Sequence, residues 1–266
     1  MKIRKLIITT AAIMASCSTY ASGQFLDTSI VHHPKDGVVR LYGPGGPHTA
    51  LIKAAAGFEK KTGQHVEVIY GPEKKWSKEA QQRADIIFSA SEQSMTAYLE
   101  NYPFVTSKDV MPMFIHPAVI AVAKGNPKNI KSFADLINHP MKIVVTEGKG
   151  TYNTSGTGLW EDIAGRLGKL DDIKKVRANI VAFEQGSGAA FKSFQNLKAD
   201  AWITWSDWPI ANADKVDMVT IEPERMIYRD FNLAISPKAD AGAAQFSAYL
   251  ETAEGAQFFK EEGWLR

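Results

Sequence analysis

Seven consecutive residues, Gly43-Pro44-Gly45-Gly46-Pro47-His48-Thr49, carry the most informative chemistry in the chain. They follow an apolar run at 38–42 and precede a helical periodicity that begins near Ala50. A strand, a glycine-rich turn and a helix start together aim backbone N–H groups at an anion. Pro47 suits the first helical position, where its missing N–H would have had no intrahelical partner. The N–H groups of His48, Thr49 and Ala50 then point out of the helix end. Gly45 and Gly46 let the backbone approach a ligand without side-chain interference. The same residues also build a plain strand-to-helix turn, so the rest of the chain has to decide.

Five further turns of this kind follow strand-like runs, at 71–76, 89–91, 147–157, 184–188 and 205–208. Several are rich in hydroxyl and amide donors: Ser89, Ser91, Thr151, Asn153, Thr154, Ser155, Thr157 and Ser187. Donors backed by helix N-termini suit an anion, because partial positive charge is already in place. Ser89 also fits a plain helix cap, with Glu92 three residues on. Trp205 either closes the core or shields a bound solute from water. A cation beside the site would select a carboxylate or sulfonate through a charge-assisted bond. Lys75, next to Trp76, is the pointer toward such a larger organic anion, and Lys74 and Lys149 are the other candidates. The expected ligand-binding set is therefore Gly45, Gly46, His48, Thr49, Lys75, Trp76, Ser89, Ser91, Thr151, Asn153, Thr154, Ser155 and Trp205.

Catalytic motifs are missing. There is no His-Glu-x-x-His, no Gly-x-Ser-x-Gly elbow and no phosphate loop ending in Gly-Lys-Ser/Thr. Gly186-Ser187-Gly188 lacks the spacing of an elbow. The six histidines are scattered, and no metal or other cofactor is expected. A ferric-ion binder would place tyrosines in a cleft, and Tyr42, Tyr70 and Tyr152 near turns keep that alternative open.

The elements that must position these turns alternate between strand and helix, which indicates an α/β fold with mainly parallel sheets. The first series runs strand 38–42, helix 47–62, strand 65–70, helix 75–83, strand 85–88 and a helix to Leu99. Leu51, Ala55 and Phe58 mark the buried stripe of its first helix, which stops at Gly63. A long apolar run at 117–124 leads to a second series. This comprises a short helix capped by Ser132, strand 142–146, helix 159–167, strand 179–183, helix 188–197 and strands 200–205 and 216–221. A second long extended run at 226–236 and two helices, about 241–252 and 256–262, finish the chain. The two series either share one continuous sheet or form two lobes hinged on the long strands.

The first 21 residues read as an export signal. Lys2, Arg4 and Lys5 precede a short apolar stretch at 6–15, and Thr19-Tyr20-Ala21 forms a small-x-small cleavage site. The apolar stretch is too short to span a membrane. The single cysteine, Cys17, lies inside this segment. Cleavage after Ala21 leaves no disulfide or thiolate chemistry. Met14-Ala15-Ser16-Cys17 alternatively resembles a lipoprotein cleavage box. The chain has 31 basic and 29 acidic residues, three of the basic ones in this segment. That balance excludes a nucleic-acid binder held by bulk charge.

Taken together, these segments resemble the two-lobed, type II bacterial periplasmic solute-binding proteins, and among them the accessory colonization factor C group, related to molybdate- and sulfate-binding proteins. The resemblance rests on residues 42–49, Phe58-Glu59-Lys60-Lys61-Thr62-Gly63, Ala84-Asp85-Ile86-Ile87-Phe88-Ser89-Ala90-Ser91, residues 150–158, Asp200-Ala201-Trp202-Ile203-Thr204-Trp205 and Glu254-Gly255-Ala256-Gln257-Phe258-Phe259. It implies one lobe of residues 22–118 and 232–266, a second of 119–231, and a ligand between them at strand C-terminal ends, which agrees with the general rule for open α/β sheets. It further implies a monomer in the periplasm that captures a small anionic solute for an inner-membrane ABC permease or a chemoreceptor. A surface colonization or adhesion lipoprotein of the same fold is the alternative. The second turn, Gly71-Pro72-Glu73-Lys74-Lys75-Trp76, departs from the serine- and glycine-rich turn of molybdate binders, which weighs against molybdate.

Overall fold

The computed structural model describes residues 23–148 and 154–266. The export segment, Cys17, Lys149, Thr151, Tyr152 and Asn153 lie outside the described residues.

Strand β1 (Val39–Gly43) is buried along its whole length and leads into helix α1 (His48–Thr62). The helix buries Ala50, Leu51, Ala54, Ala55 and Phe58 on one stripe. It ends at Gly63, whose left-handed backbone (φ 75°) lets its N–H return to Glu59 O at 2.8 Å; that geometry favours glycine. Then come β2 (Val66–Tyr70), α2 (Ser77–Arg83), β3 (Ile86–Ser89), α3 (Glu92–Asn101) and the long β4 (Val110–Ala123). The second series is α4 (Phe133–Asn138), β5 (Ile143–Glu147), α5 (Leu159–Gly165), α6 (Leu170–Asn179), β6 (Ile180–Gln185), α7 (Ser187–Asn196), β7 (Ala201–Trp205), α8 (Asp207–Ala211) and β8 (Val216–Thr220). The chain closes with β9 (Tyr228–Ile235), α9 (Ala241–Leu250) and α10 (Ala253–Glu261).

The strands lie in the order β2-β1-β3-β9-β4-β7-β5-β6, with β8 also on β4. The outer pairs β1/β2, β1/β3, β5/β6 and β5/β7 are parallel, and the pairs involving β4 and β9 are antiparallel. The α/β architecture with flanking helices is thus as expected. Strand β4 joins the two halves. Its residues up to Pro117 pair with β9, and from Ala118 on it pairs with β7 on one side and β8 on the other. The return connection passes at Ile227, whose carbonyl accepts from Ala118 N at 2.8 Å.

Strand alternation puts successive side chains on opposite faces, so each half-sheet has two cores. Leu41, Phe88 and Phe231 face one side of the first half-sheet, and Tyr42, Ile87 and Ala234 the other. Ile120, Val145 and Ile203 face one side of the second, and Ala121, Val144 and Trp202 the other. The C-terminus is pinned to β4 at the junction. Leu265 exchanges backbone bonds with Ile115 at 2.7 and 2.9 Å, and Trp264 stacks on His116 at 4.0 Å.

Two helices go beyond the sequence reading. Helix α6 has weak periodicity, since Val176 is its one buried apolar residue. Helix α8 is a single turn of five residues. The cap of α3 also moves: Ser91, not Ser89, accepts from Ser94 N at 3.1 Å. Ser89 ends β3, and its buried hydroxyl serves Ser91 O and Ser94 Oγ.

Candidate functional site

A cavity of about 470 Å³ opens where the two half-sheets meet. From the first side it is lined by the turns after β1 and β2, including Gly45, Gly46, His48, Tyr70 and Glu73. From the second side it is lined by Thr154, Ser155, the start of α7 (Gly186, Ser187, Gly188, Lys192) and the start of α8 (Asp207, Trp208). His116 of β4 and Trp205 of β7 also face it.

Two helix N-termini converge on this cavity, and neither is capped by a side chain. Helix α1 begins after Pro47 and α7 after Gly186 (φ 88°), with no acidic residue in the first turn of either. The first N–H groups of such helices have no intrahelical acceptor, and each end carries about half a positive charge. Three other helices are closed by their own side chains: Ser91 caps α3, a Ser132–Asp135 box caps α4 and Thr252 caps α10.

His48 helps to shape the first turn. Its Nδ1 lies against Gly45 O, and its ring stacks on Tyr70 at 4.1 Å. Gly46 faces the second side so closely that a Cβ there would stand 3.2 Å from Asp207 Oδ2. Asp207 is 4% exposed, and its Oδ1 lies 3.1 Å from His116 Nδ1. The imidazole is sandwiched between Trp205 at 4.3 Å and Trp264 at 4.0 Å. Its Nε2 is 3.3 Å from Ala90 O. Both ring nitrogens thus face acceptors.

Glu73 is the second acid of the cavity and is 4% exposed. Its Oε1 accepts from Asn101 Nδ2 at 2.7 Å and from Tyr102 OH at 2.9 Å. Burial pushes its carboxyl up to about 7, against the opposing pull of those two hydrogen bonds. Arg229, next to His116 across the β4/β9 ladder, ties the two sides at the cavity's edge. It donates to Gln93 Oε1 at 2.7 Å, to Ser155 O at 2.6 Å and to Asp162 Oδ2 at 3.0 Å, and its guanidinium lies over Trp205 at 5.7 Å.

Of the expected ligand set, Gly45, Gly46, His48, Thr154, Ser155 and Trp205 line the cavity. Thr49, Lys75, Trp76, Ser89 and Ser91 do not line it. Trp76 is a core residue: its ring packs among Tyr42, Tyr98 and Tyr102, and its Nε1 donates to Gly71 O at 3.1 Å. Lys75 ends a single 3-10 turn and is exposed to solvent, outside the cavity lining. Thr49 lies one residue into α1, its Oγ1 3.4 Å from His48 Nε2. Ser89 and Ser91 serve the start of α3. Thr151 and Asn153 lie outside the described residues. The expected set leaves out Glu73, His116, Ser187, Lys192, Asp207 and Arg229, although Ser187 stands among the donors of its turn. Three of these sit in turns already named, so strand-end position was the usable signal. His116 and Arg229 lie inside strands and gave none.

Among the described residues no group of three or more His, Cys, Asp or Glu could hold a metal ion, and no helix is long and apolar enough to cross a membrane.

Residues 39–265 match the family described as bacterial extracellular solute-binding protein. The chain belongs to that family. Among solved structures it is similar to Peb3 from Campylobacter jejuni, at 43% identity over 86% of this chain and 99% of that one, with a TM-score of 0.82. The L-phospholactate-bound form of PEB3 matches over the same shares at 43% identity, with a TM-score of 0.83. The sulfate-binding protein SubI from Mycobacterium tuberculosis H37Rv shares the fold at 18% identity, over 86% of each chain, with a TM-score of 0.70. No curated protein matches the chain.

Proposed function

We propose that this family member captures a small organic anion, carrying a phosphoryl or carboxylate group, in the cavity between its half-sheets. The observation that carries the reading is the pair of uncapped helix N-termini, α1 and α7, converging on that cavity from opposite sides. Its volume, about 470 Å³, lies in the range of about 300–1,000 Å³ typical of small-molecule sites and leaves room beyond a bare tetrahedral oxyanion. A relative of 43% identity bound to L-phospholactate supports the same ligand class.

The two half-sheets act as lobes, with the hinge at the crossings near Pro117–Ala118 and Ile227–Tyr228. This places Phe231, which packs with Phe88 and Phe114, in the first lobe. A ligand that contacts both lobes binds the closed form better and drives closure. The export signal puts the mature monomer in the periplasm, where the closed form meets an ABC permease or a chemoreceptor. Gly45, Gly46, His48, Thr154, Ser155 and Ser187 are the contacts assigned to the anion.

A thermal-shift panel of organic phosphates, hydroxycarboxylates, sulfonates and inorganic oxyanions tests this. A ligand at 100 times its Kd adds about 2.7 kcal/mol to stability. A panel without any shift would sink the reading.

A further inference from the structure

Two acids line a cavity whose helix ends attract anions, and each keeps one oxygen uncommitted. Among the described residues Asp207 Oδ2 and Glu73 Oε2 accept no hydrogen bond, whereas Asp207 Oδ1 and Glu73 Oε1 are engaged by His116, Asn101 and Tyr102. Both side chains are more than nine-tenths buried. Both residues line the cavity, so a ligand there can bring donors to those oxygens. Oδ2 of Asp207 lies against Gly46, at the turn that opens α1. An anion seated on that helix end therefore meets a carboxylate oxygen at hydrogen-bonding range or at repulsive range, depending on whether it carries a proton.

We propose that Asp207 makes the cavity selective for anions that bring their own O–H donor, such as monoprotonated phosphate esters, and excludes fully deprotonated oxyanions such as sulfate and molybdate. The proposal rests on reading the cavity as the solute site. The helix N–H groups take the charged oxygens, and an O–H of the ligand donates to Oδ2. Sulfate and molybdate carry no proton near neutral pH, so they would face Oδ2 with lone pairs on both sides. Glu73, protonated or not near neutrality, adapts to either partner, which leaves the discrimination to Asp207, whose other oxygen is held by His116 Nδ1.

Isothermal titration of the purified chain with glycerol 3-phosphate, inorganic phosphate, sulfate and molybdate decides the matter. Glycerol 3-phosphate and phosphate should bind at least 100-fold more tightly than sulfate or molybdate. Asp207→Asn, which places an amide donor at that point, should raise sulfate affinity at least tenfold while weakening the phosphate ester. Sulfate binding to the wild-type chain as tightly as phosphate would overturn the selectivity even if the variant failed to fold. Equal changes for sulfate and ester in a folded Asp207→Asn would overturn the role of Asp207. Failure of all four anions to bind the wild-type chain would overturn the solute-site reading instead, and the selectivity with it.

Discussion

Replacing Glu73 with glutamine should stabilise the protein more as pH rises. The glutamine keeps an acceptor oxygen for Asn101 Nδ2 and Tyr102 OH, which both bond to Oε1, and removes the titration. In the unfolded chain Glu73 loses its proton near 4.5; in the folded chain burial holds it to about 7. A raised acid pKa means that the folded state binds more protons than the unfolded state between those values. Stability therefore falls as pH rises through that interval, and the penalty is complete above it. At about 1.4 kcal/mol per pH unit, the interval corresponds to roughly 3 kcal/mol. Below pH 4.5 Glu73 is neutral in both states and contributes no penalty. Urea unfolding of wild type and Glu73→Gln at pH 4.5, 6 and 8 measures the difference, and all other titrating groups cancel in it. The stability of the variant relative to wild type should increase by about 3 kcal/mol from the lowest pH to the highest. A difference that stays flat, or shrinks with pH, would show that burial does not hold the proton on Glu73.

Two further substitutions test the packing that places the site. A Cβ at Gly43 would sit 2.3 Å from Phe88 O, a backbone atom of the neighbouring strand, so Gly43→Ala should cost about 3 kcal/mol by forcing β1 and β3 apart; a melting temperature within a degree of wild type would refute the close approach. Arg229→Ala should cost about 2 kcal/mol in urea unfolding, mostly through the lost bonds to Gln93 Oε1 and Ser155 O, because its partner Asp162 is half exposed and that pair is screened. Arg229→Lys should recover little, since one ammonium cannot replace a planar fork reaching several acceptors; full recovery would reduce Arg229 to a simple point charge.

Most of the scaffold was legible because its signals are local. The Leu51–Ala55–Phe58 spacing and Gly63 bounded α1, and the Ser132–Asp135 pair announced α4, whose reciprocal capping box is present. The cap of α3 was misread because Ser89 and Ser91 both stand before Glu92. What separates them is backbone geometry: Ser91 is extended at φ −172°, and its hydroxyl reaches Ser94 N, while Ser89 is still held in β3 by its pairing with Asn232. Helix α6 was missed for a different reason. A helix that packs through few apolar side chains has almost no hydrophobic period to read.

The site was legible as places and much less so as side chains. The turns after β1, β6 and β7 were named in the sequence and do line the cavity, because chain order alone puts strand C-terminal ends on one edge. Which side chain in a turn faces the ligand depends on tertiary packing. An indole suggested a ligand shield at Trp76, yet three tyrosines gather it into the core, while the uninteresting Glu73, three residues earlier, lines the cavity. His116 shows the limit most clearly. In sequence it stands just before an apolar run; in the fold it lies beside the point where β4 passes from one half-sheet to the other, between Trp205 of one half and Trp264 of the C-terminus. Its hydrogen bond then fixes Asp207 against Gly46, so a feature invisible in the strand sets the acceptor opposite the turn that was visible. Two helix ends supply about one positive charge between them, and two carboxylates can offset it. A cavity so nearly balanced has little net attraction with which to hold every small anion alike, and discrimination falls to the hydrogen-bond pattern, in which ligand donors matter as much as ligand charge.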